Sequence, residues 1–185
     1  MNTKIGSILV MLGCCVALNA AADDGGDGDS GKRNDTFAAR LKPTEEVPAL
    51  SSTASGWFKL TIDEANQTLS YELRYDNLEG TPAQAHIHIG QKRVNGGITV
   101  FLCGTAPAGS PAVPACPAVP ATVTGVITPA NIIGPADQGI EAASTANEFD
   151  ELVRMIRRGL TYANVHSSRF PGGEIRGQIL STKHK

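Results

Sequence analysis

A chain of 185 residues that is 41% hydrophobic and 18% charged is long enough to bury one sizeable core, and its 20 glycines, 11 prolines and 5% aromatic content point to a domain with many turns. The formal net charge of −2 and the lack of any Lys/Arg cluster exclude the electrostatics of nucleic-acid binding and of adhesion to an anionic membrane. No Gly-x-Ser-x-Gly turn, no phosphate loop of the Gly-Lys-Ser/Thr type, no Cys-x-x-Cys pair and no dinucleotide fingerprint opening a helix is present, so hydrolase, kinase and dehydrogenase chemistry lack their parts.

Residues 1–22 read as a signal peptide: Lys4, an apolar stretch from Ile5 to Leu18, then Ala20-Ala21-Ala22 with cleavage before Asp23. The stretch is shorter than the roughly 20 residues a spanning helix needs, and nothing later in the chain approaches that length. Met11-Leu12-Gly13-Cys14 also resembles a lipoprotein processing site, with anchoring at Cys14 as the minor alternative. Either route predicts a secreted or periplasmic domain. Residues 23–35, DDGGDGDSGKRND, hold no apolar side chain to bury and are expected to form a flexible polar linker. Asp24, Asp27 and Asp29 miss the every-other-residue spacing of a calcium loop.

Residues 36–182 carry the folded domain. Phe58, Leu60 and Ile62 share one face of an extended segment, and odd positions from Leu69 to Tyr75 are apolar while even ones are polar, the period of a half-buried strand. Asp63 to Gln67 supplies a hairpin connection between them. Further strands are predicted at Phe37 to Leu41, Gln84 to Ile89, Ile98 to Leu102, Thr122 to Ile127, Leu160 to His166 and Glu174 to Leu180. About eight strands at this spacing predict an all-β, antiparallel Greek-key β-sandwich or barrel. Trp57, Tyr71 and Tyr75 are expected to pack on the sheet.

One helix interrupts the strands near 146–158. Thr145 and Glu148 form a capping box, Phe149, Leu152, Val153 and Ile156 form the apolar stripe, and Gly159 ends it. Arg154, Arg157 and Arg158 fall in the last turns, where the helix dipole favours cations.

Cys14 and Cys15 lie in the signal, which leaves Cys103 and Cys116 as the pair in the body of an exported protein. A disulfide between them would close a proline-rich loop, with a gain on the order of 3 kcal/mol.

The candidate site rests on three histidines. In Ala85-His86-Ile87-His88-Ile89 the imidazoles of His86 and His88 point to one face and the apolar residues to the other. If Val165 faces the core, then Tyr162, Asn164 and His166 face away from it. By the same parity, Ile175 in the core turns Glu174, Arg176 and Gln178 outward. His86, His88 and His166 are therefore candidate ligands for a copper or zinc ion, with an open position for water. Glu174, Arg176 and Asn164 are the candidates to hold the imidazoles in place. The same residues also fit a polar network without metal, in which Glu174 and Arg176 bond to imidazoles and loop backbone. Ser167 and Ser168 beside His166 do not form a nucleophilic triad, since strand neighbours point to opposite faces and no nucleophile turn surrounds them.

The runs Ala85-His86-Ile87-His88-Ile89-Gly90, Asn95-Gly96-Gly97-Ile98-Thr99-Val100-Phe101-Leu102, Tyr162-Ala163-Asn164-Val165-His166 and Pro171-Gly172-Gly173-Glu174-Ile175-Arg176-Gly177-Gln178-Ile179 together resemble the CHRD domain, the module first described in chordin. Glu45-Glu46-Val47-Pro48 and Gly56 resemble the opening of that family. Gly97 stands where the family often has proline, and Ser167 where threonine is frequent. The resemblance covers Phe37 to Leu180 and implies an extracellular β module; chordin itself belongs among proteins that bind secreted growth factors. The order His-x-His, a later Val-His and a final-strand Arg is separately similar to the copper site of copper/zinc superoxide dismutases, which implies copper ligation by His86, His88 and His166 and steering of an anion by Arg176. Those enzymes use a fourth histidine and a zinc loop, whereas here His184 alone remains, in a terminal Lys-His-Lys.

These resemblances imply an immunoglobulin-like or superoxide-dismutase-like sandwich. The expected role is an exported binding or surface-associated module, with an extracellular protein or surface ligand as partner and no nucleic acid. Two alternatives stand beside it, a copper-dependent oxidoreductase and a purely structural surface domain.

Overall fold

Apolar-polar alternation builds the first three strands, β1 (Asp35–Leu41), β2 (Ser55–Asp63) and β3 (Thr68–Asp76), which pair antiparallel without a break in register. Phe58, Leu60 and Ile62 on β2 face Leu73, Tyr71 and Leu69 on β3, and all point into the core, while Lys59 and Arg74 stay exposed. The computed structural model describes residues 35–142 and 145–183. The predicted signal peptide, the linker up to Asn34 and His184 lie outside them.

β4 (Pro82–Ile89), β5 (Ile98–Cys103), β6 (Ala121–Ile127), the helix α1 (Ala146–Arg157), β7 (Thr161–Ser167), β8 (Ile175–Gln178) and β9 (Leu180–Ser181) complete the chain. They form two antiparallel sheets, one in the order β6-β3-β2-β1-β9 and one in the order β5-β4-β7-β8. The chain changes sheet after β3, after β5, after β6 and after β8, so the two sheets share one core in an all-β sandwich of Greek-key type. Tyr71 donates from β3 to the carbonyl of Leu102 on β5 at 2.9 Å, a hydrogen bond from one sheet to the other.

Two predicted boundaries are corrected. Asp35 is not the end of a flexible linker: it opens β1 opposite Ile62, and its carboxylate is held by Arg157 and Lys183. The single strand predicted from Glu174 to Leu180 is two, with β8 paired to β7 in one sheet and β9 paired to β1 in the other. Gly177 lies against β1 so closely that a Cβ would come within 2.3 Å of the Arg40 carbonyl, and Arg176 bridges Lys42. The sheets meet at this point and Ile179, fully buried, marks the crossing.

The helix follows its stripe, with Phe149, Leu152, Val153 and Ile156 buried and Thr145 accepting a hydrogen bond from the Glu148 amide. Half of the predicted capping box forms, because the Glu148 carboxylate bonds the Glu141 amide instead. Gly159 takes φ of +67° just past the helix end. Arg157 joins Asp35 and Glu64, a structural use of the basic last turn. Cys103 and Cys116 form the expected disulfide. Trp57 lies under Arg74 at 5.9 Å and Tyr71 stacks on Phe58, as sheet packing requires.

Candidate metal centre

Alternation on β4 sends Ala85, Ile87 and Ile89 into the core and His86 and His88 to the opposite face of the sheet. The register then decides which partners they meet. On β7, Asn164 lies opposite His86, Tyr162 opposite His88 and His166 opposite Gln84, so His166 is the diagonal neighbour of His86. Diagonal residues stand roughly 7–8 Å apart at Cα, close enough for two rings to touch. The ring centroids lie 4.8 Å apart for His86 and His166, 5.5 Å for His86 and His88 and 6.2 Å for His88 and His166. Loops cover this face, leaving the three residues only 1%, 7% and 8% exposed for His86, His88 and His166.

Backbone carbonyls set the tautomers. Nδ1 of His88 is 3.0 Å from the Gly96 oxygen and Nδ1 of His166 is 2.9 Å from the Pro171 oxygen. A carbonyl only accepts, so both Nδ1 atoms carry hydrogen and both Nε2 atoms keep a lone pair. Nε2 of His166 is in turn 3.2 Å from Nδ1 of His86, which must donate to it. That leaves Nε2 of His86 and Nε2 of His88 buried with no hydrogen-bond partner. One ligand atom from each histidine lies within 4.8 Å of the other two.

Burial, more than any neighbour, keeps these rings neutral. It drives His86 down to about 2, with the charges that His166 and His88 would carry adding to the effect. His88 falls to about 4 from burial, partly offset by the Gly96 carbonyl and reinforced by His166 and Arg176. His166 is lowered by burial as well, against the Pro171 carbonyl. Aromatic rings seal two sides: Phe101 meets His86 edge-on at 4.3 Å, and Tyr162 stacks on His88 at 4.7 Å with planes 4° apart.

Arg176 pairs opposite Asn164 on β8 and so belongs to the same face. Its guanidinium sits 4.7 Å from the Tyr162 ring and donates to Glu46 at 2.8 Å, to the Val94 carbonyl at 3.2 Å and to Asn95. Asn164 donates to the other Glu46 oxygen at 2.7 Å and to the Ile175 carbonyl at 2.9 Å. Burial pushes the Glu46 carboxyl above the usual range, and the pull of Arg176 and Asn164 in the other direction does not cancel it. Arg176 and Asn164 thus hold the loops over the histidines. With its side chain 6% exposed, Arg176 does not face solvent as an anion-steering arginine would.

Glu174 goes elsewhere. It accepts from Ser52, from the Glu79 amide and from Ser167, whose side chain lies on the opposite side of β7 from His166, and it touches no imidazole. Gly173 just before it has φ of +122°, and that turn breaks the alternation on which the expectation for Glu174 rested. A Cβ at Gly173 would also come within 2.9 Å of Glu46 and 2.8 Å of Asn164.

Glu46, Phe101 and Asn95, and the carbonyls of Gly96 and Pro171, complete the site without having been singled out as site residues from sequence. Phe101 stands opposite His86 on β5, a pairing that only the strand register reveals. Glu46, in a loop, stands out in sequence only within the Glu45-Glu46-Val47-Pro48 resemblance, which says nothing of its partners, and the two carbonyls carry no signal.

Among the described residues no helix is long and apolar enough to cross a membrane. The profile of one family, described as the CHRD domain, matches residues 37–179, well over half of the chain. No curated protein and no solved structure matches.

Proposed function

The chain belongs to the CHRD-domain family, and from that premise we propose that it is an extracytoplasmic β-sandwich module that takes up one metal ion, copper or zinc, through His86, His88 and His166. The observation that carries the reading is the pair of orphaned Nε2 atoms on His86 and His88. A buried polar network is expected to satisfy its members, and two unbonded lone pairs in one small cluster suit a cation better than they suit a hydrogen-bond network. The donor set agrees: neutral imidazoles, two of them locked by carbonyls with Nε2 inward, are the usual preparation for metal ligation. Ligand atoms spread over as much as 4.8 Å need the rings to close by less than about 1 Å to reach the ~2.0 Å typical of metal–imidazole bonds. The disulfide supports an oxidising compartment outside the cytoplasm. Its partner on this reading is an extracellular protein or surface ligand.

The test is to titrate copper and zinc into wild type and a His86→Ala/His88→Ala variant, followed by calorimetry and thermal shift. One equivalent bound by wild type and lost in the variant is expected. Absence of binding in wild type would leave a structural polar cluster and overturn the reading.

A further inference from the structure

The three donors bring no negative charge to the ion they would hold. Among the described residues the cluster is the one group of three or more ligating side chains, and it contains neither carboxylate nor thiolate. Both nearby acids are committed: Glu46 to Arg176 and Asn164, and Glu174 to Ser52, Ser167 and the Glu79 amide. The nearest cation, Arg176, lies over the same Tyr162 ring that stacks on His88.

Charge then discriminates between ions. The hydration an ion gives up on burial rises with the square of its charge, so a divalent ion loses about four times as much as a monovalent ion of the same size. Thiolate or carboxylate ligands would offset part of that loss, and none is among the three donors. Coordination number points the same way. Zinc(II) requires four ligands, whereas three nitrogens in a plane satisfy closed-shell copper(I). Phe101 lies edge-on to His86 and Tyr162 lies flat on His88, so aromatic rings rather than further ligating side chains pack against two of the three imidazoles.

We propose that the cluster selects copper(I) over zinc(II) and copper(II), and holds a single reduced ion in three-coordination by His86, His88 and His166. The proposal rests on the metal-centre reading above and adds the ion's identity and oxidation state. A site that disfavours the divalent state holds copper rather than cycling it. Binding itself transfers no electron; the ion arrives reduced.

The purified chain is titrated anaerobically with copper(I) against bicinchoninate, and with zinc(II) and copper(II) against a chromogenic divalent-ion chelator. One copper(I) per chain is expected, bound about 100-fold or more tighter than either divalent ion, with the X-ray absorption edge of three-coordinate copper(I). His166→Gln should weaken copper(I) binding at least about tenfold with a native circular dichroism spectrum, and His88→Gln serves if that variant does not fold. Zinc(II) or copper(II) bound as tightly by the same histidines overturns the copper(I) proposal and leaves the metal-centre reading standing. No binding of any of the three overturns both.

Discussion

Nδ1 of His86 and Nε2 of His166 lie 3.2 Å apart, joining β4 to β7 across eighty residues of chain. This hydrogen bond and metal ligation compete for the Nε2 lone pair of His166, so the centre has two exclusive arrangements. Replacing His166 by Ala removes the acceptor and leaves His86 buried without a partner at either nitrogen. We expect a loss of about 1–3 kcal/mol in denaturant unfolding of the metal-free protein, together with disappearance of any metal-dependent rise in melting temperature. A variant that keeps the metal-dependent rise would remove His166 from the ligand set.

Acid should destabilise the metal-free protein earlier than carboxylate titration alone would. In the unfolded chain a histidine takes its proton near pH 6.5, while in the folded protein His88 resists until about 4 and His86 until about 2. The unfolded state therefore binds more protons below pH 6.5, and stability falls as pH drops through that window. The slope is about 1.4 kcal/mol per pH unit for each histidine. Unfolding free energies at pH 7, 6, 5 and 4 measure it. A flat profile between 6.5 and 5 would show that the rings are not held neutral.

Glu46 and Arg176 form a buried ion pair, 3% and 6% exposed at the side chains. Removing one partner strands the other charge, and Glu46→Ala should cost about 3–5 kcal/mol. Arg176→Lys keeps the charge but gives up the fork that reaches Glu46, Val94 and Asn95 at once. Gly96, whose carbonyl orients His88, follows directly in the chain. The Lys variant is expected to weaken metal affinity about 10–100-fold without changing the stoichiometry, as calorimetry would register. Unchanged affinity would mean that the loop holds His88 without Arg176.

Reduction of the Cys103–Cys116 bridge opens a loop with a sequence separation of 13. The double variant Cys103→Ser/Cys116→Ser should lose roughly 3 kcal/mol of stability and still bind one metal ion, since no histidine lies in the loop. Melting curves with and without reductant, beside a metal titration, check both halves.

Several of these features are legible in the residues themselves, because their causes are local or covalent. Period-two alternation places His86 and His88 on one face, a Thr145 cap and a Gly159 stop bound the helix, and the two cysteines of the folded body have one pairing. The strands from Phe58 through Tyr75 follow for the same reason. Parity failed at Glu174, where the left-handed turn at Gly173 re-aims the side chain toward Ser52 and Ser167; Ile179 is buried as parity expects, but the one apparent strand around it is shared between two sheets.

What only the tertiary structure decided is the set of distances. A one-residue slip between β4 and β7 would leave the sequence pattern untouched yet turn His166 to the other side of the sheet from His86, so the site depends on a register set by packing against the opposite sheet. The tautomers depend on the Gly96 and Pro171 carbonyls, and a backbone oxygen is common to every residue and leaves no trace in sequence. Glu46 reaches Arg176 from 130 positions away. Alternation determines which way a side chain points along its own strand; what it meets there is settled by the fold, because contacts between distant segments arise from packing of the whole core.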